Sequence, residues 1–151
     1  MMKMSGRYDA VDILIVEDNP QDAELTIRAL KKQNLANQMF VVEDGEAALD
    51  FIFSKGQFEE RAGLKLPKVV FLDLKLPKVS GLEVLKMIKE DKVMKKLPVV
   101  VVTSSREDPD IKSAYELGAN GYVVKPVEFD TFFNSVTQAG MYWLMVNESP
   151  R

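Results

Sequence analysis

Five short runs dominated by large apolar residues, each followed by a stretch with helical periodicity, constrain this chain more than anything else in it. The runs are Val11 to Val16, Met39 to Val42, Val69 to Leu72, Val99 to Val102 and Gly121 to Val124. Runs with little polar alternation read as strands buried on both faces, as in parallel sheets covered by helices. The stretches between them carry helix start signals and apolar stripes. Asn19 is placed as an N-cap with Pro20 at the first helical position, and Ala23, Ile27 and Leu30 follow, with the helix ending before Asn34. Asp44-Gly45 precedes Ala47, Ala48, Phe51 and Ile52; Ser80 to Glu83 fits a capping box, and Leu82, Leu85 and Ile88 supply the buried face of that helix. Asp108-Pro109 opens a helix with Ile111, Ala114 and Tyr115 inward and Gly118 closing it. The last helix is expected from about Val127 to about Trp143, with Phe129, Phe132, Phe133 and Val136 at helical spacing and Tyr142 and Trp143 divided between core and surface.

Strand and helix alternating in this way predict an α/β fold: a doubly wound, five-stranded parallel sheet with helices on both faces and right-handed crossovers. The 151 residues have room for one domain. A flexible leader is expected over 1–9, a folded domain over 10–144 and a flexible tail over 145–151. The stretch from Ser54 to Pro67 is longer than a usual connection and reads as an inert insertion in preference to a partner-contact loop.

What the chain lacks narrows its chemistry. It has no Cys and no His, which removes thiolate nucleophiles, imidazole bases and nearly all structural zinc sites. A net charge of −3 without runs of Lys or Arg points away from nucleic acid and membrane surfaces. No apolar run approaches the ~20 residues that span a bilayer, and the first residues lack a signal-peptide core, so a cytoplasmic location is expected. Any metal must be a hard cation held by oxygen, with magnesium, manganese or calcium as the candidates.

A helix after every strand brings all five strand exits to one edge, where ligands bind in open α/β sheets. That edge collects Glu17 and Asp18 from the first strand, Asp73 from the third, Thr103 from the fourth and Lys125 from the fifth. Each residue alone has an ordinary reading as a strand-end turn or surface group. Together they are harder to dismiss: at ~4 Å and an effective dielectric near 20, each like-charged pair costs about 4 kcal/mol. A divalent cation relieves this, and Mg2+ or Mn2+ leaves positions for phosphate oxygens. Cation, ammonium and hydroxyl together suit a phosphoryl group, with the Asp73 carboxylate as candidate nucleophile.

With Glu17-Asp18, the spacing from Asp73 through Pro77 to Gly81, Thr103, Tyr122 and Lys125-Pro126, the chain from about Val11 to Trp143 resembles the receiver domain of bacterial two-component response regulators. The resemblance implies the flavodoxin-like strand order 2-1-3-4-5. It implies that Asp73 accepts a phosphoryl group from a phosphohistidine on a sensor histidine kinase or phosphotransfer protein. Mg2+ would be held by Asp18, Asp73 and the backbone carbonyl of Lys75, with Glu17 acting directly or through water. Lys125 would pair with the phosphoryl group, Thr103 would move to its oxygens, Tyr122 would turn inward as the readout, and the Lys125-Pro126 bond would be cis. Such a protein is a signalling domain rather than an enzyme, acting on a downstream protein without an output domain of its own. The face of the fourth helix, fifth strand and fifth helix is the expected output or homodimer surface. Lys75 and Ser105 occupy positions expected to tune the phosphoryl lifetime. The 54–67 loop, Glu17-Asp18-Asn19-Pro20 and Leu25-Thr26 look similar to single-domain regulators that partner phytochrome-type kinases.

Three rivals compete. A flavodoxin-type FMN binder needs a hydroxyl- and glycine-rich phosphate loop where Glu17 and Asp18 stand. An aspartyl phosphatase would carry a second Asp at position 75, which is Lys75 here. A degenerate receiver that only binds a partner would not retain the acidic pair, Asp73, Thr103 and Lys125 together.

Overall fold

The computed structural model describes residues 11–32, 38–105 and 107–141. The expected leader and tail, the helix end near Asn34, and Tyr142 and Trp143 lie outside them. The strands are β1 (Ile13–Val16), β2 (Met39–Val42), β3 (Val69–Leu72), β4 (Val99–Thr103) and β5 (Gly121–Val124). They form one parallel sheet of order β2-β1-β3-β4-β5. The helices are α1 (Pro20–Lys32), α2 (Gly45–Phe53), α3 (Gly81–Glu90), α4 (Asp108–Glu116) and α5 (Phe129–Gln138).

Strand residues alternate between two cores, as the two-residue period of a strand requires. Ile13, Ile15, Val69, Phe71, Val100 and Val102 pack with Leu30 of α1 and with Phe132 and Val136 of α5. Leu14, Val16, Val70, Leu72, Val99 and Val101 pack on the other face with α2, α3 and Ala114 of α4. Both faces of the central strands are covered, which is why they read as unbroken apolar runs.

The helix starts follow their local chemistry. Asn19 Oδ1 accepts from the amides of Gln21 and Asp22, Asp44 from Ala47, and Ser80 Oγ from Glu83. Gly118 follows α4 with φ +106, a conformation that disfavours side chains.

Three expectations need correcting. Tyr115 is 48% exposed on α4, and of the aromatic set on α5 only Phe132 is buried, Phe129 and Phe133 being 45% and 37% exposed. An apolar residue at helical spacing can still lie on the flank of the stripe, outside the sheet's reach. Helix α5 spans Phe129–Gln138, shorter than expected, with Gly140 just beyond it at φ +69. Finally, the 54–67 stretch, expected as an inert insertion, contributes side chains to the core. Gly56–Arg61 forms a 3-10 helix that buries Phe58 and Arg61. Phe58 packs edge-on against Phe40 and Phe51, and the Arg61 guanidinium lies 3.9 Å from the Phe51 ring centroid while donating to the Lys65 carbonyl. Buried arginine needs this combination of stacking and hydrogen bonding.

Candidate functional site

Pairing places Val16 level with both Val42 and Leu72, so Glu17 and Asp73 emerge side by side where β1 and β3 end. The backbone holds both on the sheet: Glu17 N–H donates to the Val42 carbonyl and Asp73 N–H to the Val16 carbonyl, at 3.0 and 3.1 Å. Both side chains are buried, whereas Asp18, at the mouth, is exposed. One carboxylate oxygen from each of Glu17, Asp18 and Asp73 lies within 4.8 Å of the others.

Two glycines bring neighbouring backbone against the Asp73 loop. A Cβ on Gly81 would sit 2.1 Å from the Asp73 carbonyl oxygen, and Gly81 N–H donates to the Leu74 carbonyl. A Cβ on Gly45 would sit 2.0 Å from the Val79 carbonyl oxygen, and Gly45 N–H donates to the Pro77 carbonyl. Lys78, with φ +69, reaches from the same loop to Asp44 and Glu46 at 3.7 and 3.6 Å.

From the other side, β4 delivers Thr103, fully buried, and β5 delivers Lys125, whose amide donates to the Thr103 carbonyl. The Lys125-Pro126 bond is cis. Lys125 Nζ reaches Glu17 Oε1 at 2.7 Å, Asp22 Oδ2 at 2.9 Å and Asp73 Oδ2 at 3.0 Å. Asp73 Oδ1 accepts from the Lys75 amide, which puts that peptide beside the cluster. Asp22 was not anticipated. It reads in the sequence as an ordinary acidic residue in a helix first turn, where the dipole favours it. The signal that could have found it is its place one helical turn beyond the Asn19 cap, in the first turn of α1 beside the β1 exit.

The remaining two residues lie off the carboxylate cluster. Thr103 Oγ1 accepts from the Ser105 amide at 3.4 Å, and the Tyr122 hydroxyl donates to the Ser105 carbonyl at 3.1 Å. The Tyr122 ring is tilted against Tyr115 at 6.4 Å. Burial, outweighing its bond to Ser105, raises the Tyr122 phenol above its ordinary range. Ser105 Oγ donates to Asp110 Oδ2 at 2.5 Å, tying the loop after β4 to α4. Thr103, Ser105 and Tyr122 thus form a chain leading from the site towards α4.

The electrostatics are unbalanced. Among the described residues, the carboxylates of Glu17, Asp22 and Asp73 share the Lys125 ammonium, and Asp18 adds a further carboxylate to the cluster. Burial, reinforced by the charge of Asp73, pushes Glu17 from 4.5 up to about 7 despite its contact with Lys125. Burial pulls the Lys125 ammonium the other way, but Glu17, Asp22 and Asp73 outweigh it and hold the group above its ordinary range. The two directions agree once the sharing is counted, because one ammonium divided among three carboxylates does not offset the burial of Glu17. Clustered hard oxygens with surplus negative charge are the donor set of a divalent cation such as Mg2+ or Mn2+. Among the described residues no helix is long and apolar enough to cross a membrane.

The response regulator receiver domain family matches residues 13–137. A probable methanogenesis regulatory protein, FilR2, of Methanothrix harundinacea is 40% identical over 142 residues, covering 94% of this chain and 89% of that one. The bacteriophytochrome response regulator AtBRR is similar in structure, with a TM-score of 0.79 at 51% identity, over 90% of this chain and 96% of that one. Response regulator Rcp1 of Synechocystis sp. is 36% identical over 87% of this chain and 88% of its own length. The Mn(2+)-bound form of a response regulator Rcp1 has a TM-score of 0.73 at 34% identity, over 94% of this chain and 99% of that one.

Proposed function

The chain belongs to the response regulator receiver domain family of two-component systems, and on that premise we propose that it accepts a phosphoryl group on Asp73 from a histidine kinase and signals by changing shape. The observation that carries this reading is the meeting of Glu17, Asp18, Asp73 and Lys125 at the exits of three strands. In the transfer, an Asp73 carboxylate oxygen forms a bond to phosphorus while the donor's N–P bond breaks and the imidazole nitrogen keeps the electron pair. With no His in the sequence, the donor imidazole lies outside these 151 residues.

Glu17, Asp18 and Asp73, with the Lys75 peptide beside them, would hold Mg2+ or Mn2+, and the Mn(2+)-bound form of Rcp1 supports that choice. When bound, the cation neutralises the carboxylates and the phosphoryl oxygens so that negative groups can meet. Lys125 supplies the second positive charge. Phosphorylation replaces the single charge of the Asp73 carboxylate with a phosphoryl group carrying about −1.5 to −2, whose new oxygens draw the buried Thr103 hydroxyl from Ser105. Since Ser105 also holds Tyr122 and Asp110, that movement is passed to β5 and α4. The result is a population shift between two loop arrangements, read by a downstream protein. Likeness to AtBRR supports a phytochrome-type kinase as the donor.

The test is incubation with Mg2+ and acetyl phosphate, followed by mass measurement of wild type and Asp73→Asn. One base-labile phosphoryl group on wild type and none on the variant is expected. Equal labelling of both would overturn Asp73 as acceptor, and continuous hydrolysis of phosphate esters would favour an aspartyl phosphatase.

A further inference from the structure

Granting Asp73 as the phosphoacceptor, we infer that Asp22 is a positioning residue that tethers Lys125 in the site when the other carboxylates are otherwise engaged. An ammonium has three N–H donors, and Lys125 Nζ spends its contacts on Glu17, Asp22 and Asp73, all within 3.0 Å. Two of these three, Glu17 and Asp73, also belong to the oxygen cluster suited to a divalent cation, and Asp22 does not. Once a cation draws on Glu17 and Asp73, Asp22 is the carboxylate left to Lys125 alone. Without it, a long side chain with four rotatable bonds would have to be ordered by the phosphoryl group itself, at an entropic cost. With it, one N–H stays anchored while the other two face the phosphoryl oxygens.

The location of Asp22 fits this task. Its amide donates to Asn19 Oδ1, so the cap of α1 sets where the residue sits. Its side chain is 32% exposed, at the rim, while that of Lys125 is 13% exposed. Asp22 therefore anchors the ammonium from the solvent side without occupying the space next to Asp73.

The experiment measures binding of beryllium fluoride, a phosphoryl analogue, to the full chain by calorimetry in saturating Mg2+, with labelling by acetyl phosphate in parallel. Asp22→Ala is expected to weaken analogue binding roughly fivefold, the scale of a partly exposed ion pair. In a Lys125→Ala background the same substitution should have no further effect, because Asp22 acts through Lys125. Asp22→Glu should recover part of the loss. The sign is diagnostic: a bystander carboxylate repels the anionic analogue, so its removal would tighten binding. Unchanged or tighter binding in Asp22→Ala, or an equal loss with Lys125 already removed, would overturn the tether. Wild type that neither takes up a phosphoryl group nor binds the analogue would instead overturn the acceptor reading. The Asn19 side chain still caps α1 in every Asp22 variant, since it is the backbone amide at position 22 that it accepts from.

Discussion

Glu17→Gln should stabilise the metal-free protein at alkaline pH. Glu17 is 4% exposed, and burial together with the charge of Asp73 raises it from 4.5 to about 7. Between these two values the folded chain keeps a proton on Glu17 that the unfolded chain has released. Stability therefore falls as pH rises through that window and levels off above it. The gap converts, at about 1.4 kcal/mol per pH unit, to roughly 3 kcal/mol. Gln mimics the protonated carboxyl at every pH and avoids this loss. Urea unfolding of wild type and Glu17→Gln, in chelator from pH 4 to 9, should give similar stabilities at pH 4. Towards pH 8 the curves should diverge by up to about 3 kcal/mol in favour of the variant. A cation that binds the native cluster adds stability by mass action, so saturating Mg2+ should shrink or reverse the difference. A gap that does not vary with pH, or wild type more stable than Glu17→Gln at pH 8 in chelator, would refute the claim that burial outweighs the pairing with Lys125.

Two further substitutions test how the site is supported. Gly81→Ala should destabilise the fold by about 1–3 kcal/mol and slow labelling of Asp73, because the new methyl meets the Asp73 carbonyl and the Leu74 Cα, backbone atoms that cannot swing aside. Thermal unfolding and acetyl phosphate labelling check this, and an unchanged melting temperature would show that the loop yields freely. Phe58→Ala should cost about 3–5 kcal/mol by urea unfolding, as for any buried aromatic side chain. A cost below about 0.5 kcal/mol, usual for surface sites, would restore the reading of 54–67 as an insertion the fold does not need.

Much of the architecture was legible in the residues themselves. A strand buried on both faces must be apolar at consecutive positions, so Val69 to Leu72 and Val99 to Val102 declared a covered parallel sheet. Asn19, Asp44 and Ser80 announced helix starts through local bonds to amides two or three residues on. Strand-helix alternation then forced Glu17, Asp18, Asp73, Thr103 and Lys125 to one edge, whatever the details of packing. The direction of individual side chains was harder to read, as Tyr115 and Phe129 demonstrate. Helical spacing defines a stripe but not how wide a stripe the sheet will cover.

Residue type and local periodicity by themselves determined the strands, the helix starts and the acidic edge, because each rests on short-range sterics, capping and burial, whereas the strand order came only with the family resemblance. Only the tertiary structure decided how charge is shared within that edge. Asp22 and Lys125 are far apart in the chain, and no local pattern tells one ammonium to divide itself among Glu17, Asp22 and Asp73. The same holds for Arg61, whose burial against Phe51 depends on a fold-back of the chain and not on its neighbours in sequence. Long-range electrostatics and packing depend on distances through space, which a linear order of residues does not contain.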